Sequence, residues 1–177
     1  MVRAPKSIDV KLNLHVVEIS GTWEPNDTER RAAWELYVEL VTRVSVVPLR
    51  ADEGLLREAL SSLYSLFTTT RDVLRTYGPE VAEPKKNSQY NFGYLSVAML
   101  NYSIRPLLAT WHPALEDWEN HRPADRSRRD HEQAWPHAGE LRAALRETRG
   151  ALTAYADLLA SACGVPNLLE AVPAETP

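Results

Sequence analysis

The sequence predicts an all-α fold: a helical bundle of four long helices plus one short helix, preceded by an N-terminal β-strand or extended arm. Three observations carry this expectation. Apolar residues recur at spacings of three and four along most of the chain, alternation at period two is confined to its first stretch, and proline or glycine punctuates the boundaries between periodic segments. At 177 residues the chain reads as one domain with appendages: an arm over 1–22, a helical domain over 23–165 and a tail over 166–177.

Residues 8–20 read IDVKLNLHVVEIS, in which Ile8, Val10, Leu12, Leu14 and Val16 alternate with Asp9, Lys11, Asn13 and His15. That is the pattern of a half-buried strand. The phase slips at Val16-Val17, which reads as a bulge or as burial of both faces. No second strand is evident in the pattern. A lone strand exposes unpaired donors and acceptors, so it asks for a second copy, another protein or an unrecognised hairpin. The alternative is an arm packed over the helices.

Gly21 to Asn26 reads as a turn, with Asn26 or Asp27 capping a first helix. Trp34, Tyr37, Val38, Val41 and Val44 supply its apolar stripe and Pro48 ends it. A second helix is expected from about Asp52 to Tyr77, where Gly78-Pro79 stops it. Residues 78–90 form the longest loop, and a third helix spans 92–110 with a kink or break at Pro106. His112-Pro113 opens a short helix, PALEDWEN. The last long helix runs from His137 to Ala162 and ends at Gly164-Val165-Pro166, before a frayed VPAETP tail.

The balance of charge narrows the functions. A net charge of -4 argues against broad non-specific binding to nucleic acid or anionic membrane. One cysteine, Cys163, excludes an intramolecular disulfide and a Cys-rich zinc site, and its apolar setting reads as a small buried hydrophobe. The apolar runs are too short to span a membrane and no signal segment opens the chain, so a cytoplasmic location is expected.

The chemistry-bearing residues concentrate in RPADRSRRDHEQAWPH, residues 122–137. Histidines and carboxylates crowd here, yet without an E-x-x-H or H-E-x-x-H pattern, so neither metal nor cofactor is expected. The residues themselves read as a charge-balanced turn in which Asp125 or Ser127 caps the next helical turn. Within it R-S-R-R-D-H, with Arg126 and His131, is similar to the R-x4-6-H motif of HEPN-type helical ribonucleases. The resemblance implies a dimer that joins two motifs, with His131 moving protons at the reactive hydroxyl and Arg126 steadying the phosphate.

Two further groups stand out. Asn101 and Arg105, four apart on the most apolar helix, read as a buried polar pair, with Glu116, Asp117, Glu35 or Glu39 as carboxylate partner. They fix the Pro106 kink or line a pocket for an anionic ligand. Trp111, Trp118 and Trp135 bracket the arginine-rich stretch, either as staples over one end of the fold or as a docking patch. The leading expectation is a non-catalytic interaction or regulatory protein of bacterial-cytoplasm type. It would dock a protein partner or its own copy through Val10, Leu12 and Leu14 of the strand and through the Trp/Arg-rich connection. The alternative is the HEPN-like ribonuclease, with RNA as its substrate.

Overall fold

In the computed structural model, which describes residues 4–43 and 53–171, the alternating stretch at the front is a hairpin. Strand β1 (Ile8–Asn13) pairs antiparallel with β2 (Glu18–Trp23), Val10 facing Gly21 and Leu12 facing Ile19. The expectation of a lone strand is therefore corrected. The phase slip at Val16-Val17 is the turn itself: Leu14 N–H donates to the Val17 carbonyl at 2.9 Å and Val16 N–H to the Leu14 carbonyl at 2.8 Å. His15 takes a positive φ of 65° at the tip, a place usually held by glycine or asparagine, which is why the sequence gives little sign of a turn. Gly21–Trp23, expected as turn, continue β2.

Helix α1 (Asp27–Val41) begins in a capping box: Glu29 N–H donates to Asn26 Oδ1, and Asn26 N–H donates back to the Glu29 carboxylate, both at 2.8 Å. Its inward face is Ala32, Ala33, Leu36, Tyr37 and Leu40. The expected stripe was rotated: Trp34 and Val38 stand exposed. The expected contributions of Val44 and Pro48, and a second helix beginning near Asp52, fall outside the described residues.

Helix α2 (Leu56–Tyr77) presents a long apolar face, Leu60, Leu63, Leu66 and Val73, and ends at Gly78 with φ 68°. A short 3-10 turn, Gly78–Ala82, follows and buries Val81. The loop after it is tied to β2, since Gln89 and Tyr90 N–H groups both reach the Thr22 carbonyl, at 3.1 and 3.2 Å.

The next helical stretch differs most from expectation. Helix α3 (Phe92–Met99) passes into a π-helical turn (Leu100–Ile104) and then α4 (Arg105–Asn120). Pro106 breaks nothing, because the wider turn absorbs the missing donor: Arg105 N–H bonds back to Leu100, five residues away. Pro113 does not open a separate helix either; it lies inside α4.

Helix α5 (Arg128–Gln133) is capped by Ser127, whose side chain accepts from Asp130 N–H. Helix α6 (Ala138–Cys163) closes on Gly164 in the left-handed region at φ 66°. A final 3-10 turn, Leu168–Ala171, is pinned where Leu168 N–H donates to the Tyr37 hydroxyl at 2.6 Å. The VPAETP tail lies outside the described residues.

The described chain is thus mostly helical with a small N-terminal sheet. One apolar cluster unites the hairpin's inner face with α1, α2, α3, α4 and α6. Val10, Leu12, Leu14, Ile19 and Trp23 are all buried in it. At about 1.5–3 kcal/mol for each large apolar side chain, the hairpin is a structural part of the core rather than a loose arm. No described helix is long and apolar enough to cross a membrane.

Candidate functional site

Three places gather polar or exposed apolar groups. The first is buried beneath the hairpin. Glu29, fully buried, receives Trp23 Nε1–H at 3.0 Å, Asn26 N–H at 2.8 Å and Phe92 N–H at 3.0 Å, and pairs with the Lys85 ammonium. Lys85 also donates to the Glu24 carbonyl at 2.5 Å. This carboxylate locks β2, α1, the 83–91 loop and α3 together, and its capacity is filled by these donors. The Asn26-x-x-Glu29 spacing was the available sequence signal; Lys85 carried none.

The second joins α2, α4 and α5. The N-cap of α2, Leu55, has no capping side chain. Glu132 of α5 supplies one from elsewhere, accepting Leu56 N–H at 2.7 Å and Arg57 N–H at 3.4 Å. Burial pushes the Glu132 carboxyl above its ordinary range, against those two hydrogen bonds, which lower it. Arg57 grips Glu119 through Nε at 2.9 Å and a terminal nitrogen at 2.7 Å, and donates to His112 Nδ1 at 2.8 Å. A guanidinium has no lone pair to offer, so His112 Nδ1 is the acceptor and Nε2 carries the hydrogen. Burial, then the Arg57 charge, lowers the His112 pKa, consistent with a neutral ring.

Here the sequence-predicted residues divide. His131 is buried, stacked on the Trp118 ring at 4.6 Å and 10°, with reciprocal bonds: Trp118 Nε1–H to the His131 carbonyl at 2.9 Å, and His131 Nε2–H to the Trp118 carbonyl at 2.8 Å. Arg126 is exposed on the preceding turn, and its carbonyl accepts from Arg122. No hydrogen bond joins Arg126 to His131 among the described residues. Trp135 is buried and meets Trp111 edge-on at 5.9 Å. Trp111 and Trp118 are half-buried. These tryptophans and His131 fasten α5 to α4.

Asn101 and Arg105 are brought together, with Arg105 Nε donating to Asn101 Oδ1 at 3.0 Å. They are exposed, not buried, which corrects the expected buried pair. Met99, Ser103 and Leu107 turn toward the core, which leaves Asn101 and Arg105 on the outer side of the helix, and the guanidinium lies over the Phe67 ring at 5.1 Å. Cys163 is half-buried, its thiol pushed up to about 11 by burial, so it carries little thiolate at neutral pH.

The third place is the surface. Trp34 opens onto a shallow depression of about 510 Å³ that it shares with Arg30, Arg31, Tyr77, Cys163 and Val165. Tyr64, Tyr94 and Tyr102 are exposed on α2, α3 and the π turn. Residues 121–130 are exposed throughout.

The free edge of β1 is the most regular surface feature. The Leu14–Val17 bond makes those residues a hydrogen-bonded pair. By alternation along the ladder, Leu12–Ile19 and Val10–Gly21 are bonded pairs too, while Asp9–Thr22, Lys11–Ser20 and Asn13–Glu18 turn their backbone groups outward. On the β2 side this is visible, since the Thr22 carbonyl takes Gln89 and Tyr90 N–H and the Ser20 carbonyl takes the Tyr90 hydroxyl at 3.3 Å. On the β1 side the matching groups of Asp9 and Lys11 have no partner among the described residues. The side chains named from the alternation, Val10, Leu12 and Leu14, face the core; it is the backbone of Asp9, Lys11 and Asn13 between them that turns to the outer edge.

Among the described residues, no group of three or more His, Cys, Asp and Glu side chains gathers as a metal-holding set. Comparison with protein-family models, curated proteins and solved structures found no match to this chain.

Proposed function

We propose that this chain is a non-catalytic helical interaction protein, a cytoplasmic accessory or regulatory domain whose bundled helices display an N-terminal hairpin for docking. The observation that carries this reading is the open edge of β1. A row of strand donors and acceptors, backed by a buried face and one paired edge, has no hydrogen-bond partner on the other edge among the described residues. The inward polar groups support it from the other side. Glu29, Arg57, Glu119 and Glu132 are each engaged in holding elements together rather than aimed into a cleft. The exposed, arginine-rich 121–130 connection flanks the fold as a second contact surface, with Trp111, Trp118 and Trp135 bracing it from beneath.

The reading is tested by in-cell cross-linking. A photo-activated side chain at exposed Lys11 should give a discrete adduct, whether with a copy of the chain or with another protein. The same group at exposed Asp117 on α4 serves as the control and should give none. Absence of an adduct from Lys11, and from Arg126 in the flanking connection, would remove the reading.

A further inference from the structure

Resting on that docking reading, we infer that the occupant of the β1 edge is a second copy of β1, paired antiparallel about a two-fold axis through Val10. The argument is one of register. Asp9, Lys11 and Asn13 carry the outward backbone groups, and in an antiparallel pair outward-facing residues bond to outward-facing residues. Five symmetric registers therefore compete. One sets Asp9 against its own copy and one sets Lys11 against its own copy. Each places like charges directly opposite on the solvent face, which is destabilising. Two more set Asn13 against its own copy or against Lys11 and bring no opposite charges together. The fifth centres on Val10 and alone sets opposite charges face to face, Asp9 of each chain opposite Lys11 of the other, twice by symmetry.

The same arrangement sets Ile8 opposite Leu12 and Val10 opposite Val10 on the inner face; these side chains are already buried within each copy, so the pairing gains its backbone hydrogen bonds and its charge pairs. Two hairpins become one four-stranded sheet, β2-β1-β1-β2, with charged residues outward and the apolar set toward the helices. The charges that blunt this edge toward other strands thus select one register with the chain's own copy. β2 offers no equivalent, because Gln89 and Tyr90 already occupy its outer edge.

Charge exchange in the full chain tests this, read by analytical ultracentrifugation from micromolar to millimolar protein. Both side chains are exposed, so folding, checked by circular dichroism, should be unaltered. The native chain should show a reversible monomer–dimer equilibrium. Lys11→Asp and Asp9→Lys should each weaken it at least about tenfold, since each turns two attractive pairs into repulsive ones. Mixing the two variants should restore a dimer containing one of each, and the double exchange Asp9→Lys/Lys11→Asp should restore the homodimer. A native chain monomeric throughout the range overturns the inference, and so does a dimer indifferent to both single variants. A Lys11 photoadduct with a different protein, given by a chain that stays monomeric, sinks self-pairing but leaves docking standing. No adduct at Lys11 or Arg126 removes docking itself.

Discussion

Two buried carboxylates organise different parts of this molecule, and they are not alike. Glu29, beneath the hairpin, meets a cation and several N–H donors at once, and nothing of it reaches solvent. Glu132, at the start of α2, meets two backbone N–H groups, with Arg142 and Glu119 acting on its charge in opposite senses. Beside it on α5, His131 Nδ1 is buried with no hydrogen-bond partner among the described residues. The Glu29 junction is closed and fully paired, while the Glu132 junction holds polar groups that are only partly satisfied. The difference teaches that burial alone does not decide the cost of a charge; the number of donors aimed at it does.

The largest expected effect follows from breaking the closed junction. Glu29→Ala strands the Lys85 ammonium and leaves the Trp23, Asn26 and Phe92 N–H groups without an acceptor. Removing one partner of a buried pair costs about 3–5 kcal/mol, enough to unfold many domains. The urea midpoint measures it; if the variant does not fold, Glu29→Gln keeps an acceptor and should fall between variant and native protein.

Glu132→Ala should cost less, about 1–3 kcal/mol, because it removes a helix cap and leaves the Leu56 N–H buried without an acceptor. Glu132→Gln keeps an acceptor oxygen and sheds the desolvated charge, so it should lie close to the native value. A Gln variant as costly as Ala at neutral pH would show that the charge at the helix start, not the hydrogen bond, holds α2.

The contrast between junctions also marks what the sequence can reveal. Helix positions, the strand β1 and the caps at Asn26 and Ser127 follow from local patterns and were legible. The second strand was not, since the turn residue with positive φ is a histidine instead of glycine or asparagine. The continuity of α3 with α4 was not, because a π-helical turn accommodates Pro106 in a way that no spacing rule announces. Of the candidate site, Arg126, His131 and the tryptophans could be singled out, but not their roles. Those depend on contacts between α2, α4 and α5 that lie far apart in sequence, such as Glu132 with Leu56. Likewise, alternation picked Val10, Leu12 and Leu14, whose side chains are buried, while the backbone groups without a partner among the described residues belong to the residues between them.

A smaller effect separates the groups of the open junction by pH. The His112 pKa is lowered from 6.5, so the folded protein binds fewer protons than the unfolded chain below that value. Stability from this group is complete above 6.5 and is lost as pH falls through the folded value. Glu132 is raised from 4.5 and acts oppositely: its contribution grows as pH falls through its folded value toward 4.5. Denaturation midpoints across this range should therefore drop more steeply on acidification for Glu132→Gln than for the native chain. His112→Asn, whose oxygen can replace Nδ1 as acceptor for Arg57, should flatten the drop. Identical slopes in all three proteins would mean that neither group couples folding to protons.

The smallest effect falls between two residues of one short motif. Arg126 is exposed and its side chain lies outside the α4–α5 lock, so Arg126→Ala should shift stability by no more than about 0.5 kcal/mol. His131, five positions on, stacks on Trp118 and donates to the carbonyl at the end of α4. His131→Ala should therefore destabilise the chain markedly, and loss of any activity in that variant would not identify a catalytic group. Arg126→Ala is the cleaner probe of RNA cleavage, because it preserves the fold while removing the cation. If purified protein cleaves RNA and Arg126→Ala abolishes that cleavage with the melting temperature unchanged, the motif acts in chemistry and the non-catalytic reading fails. If neither protein cleaves, the five-residue separation of Arg126 and His131 reflects the turn that leads into α5: the arginine sits on its outside, the histidine on the face that binds Trp118.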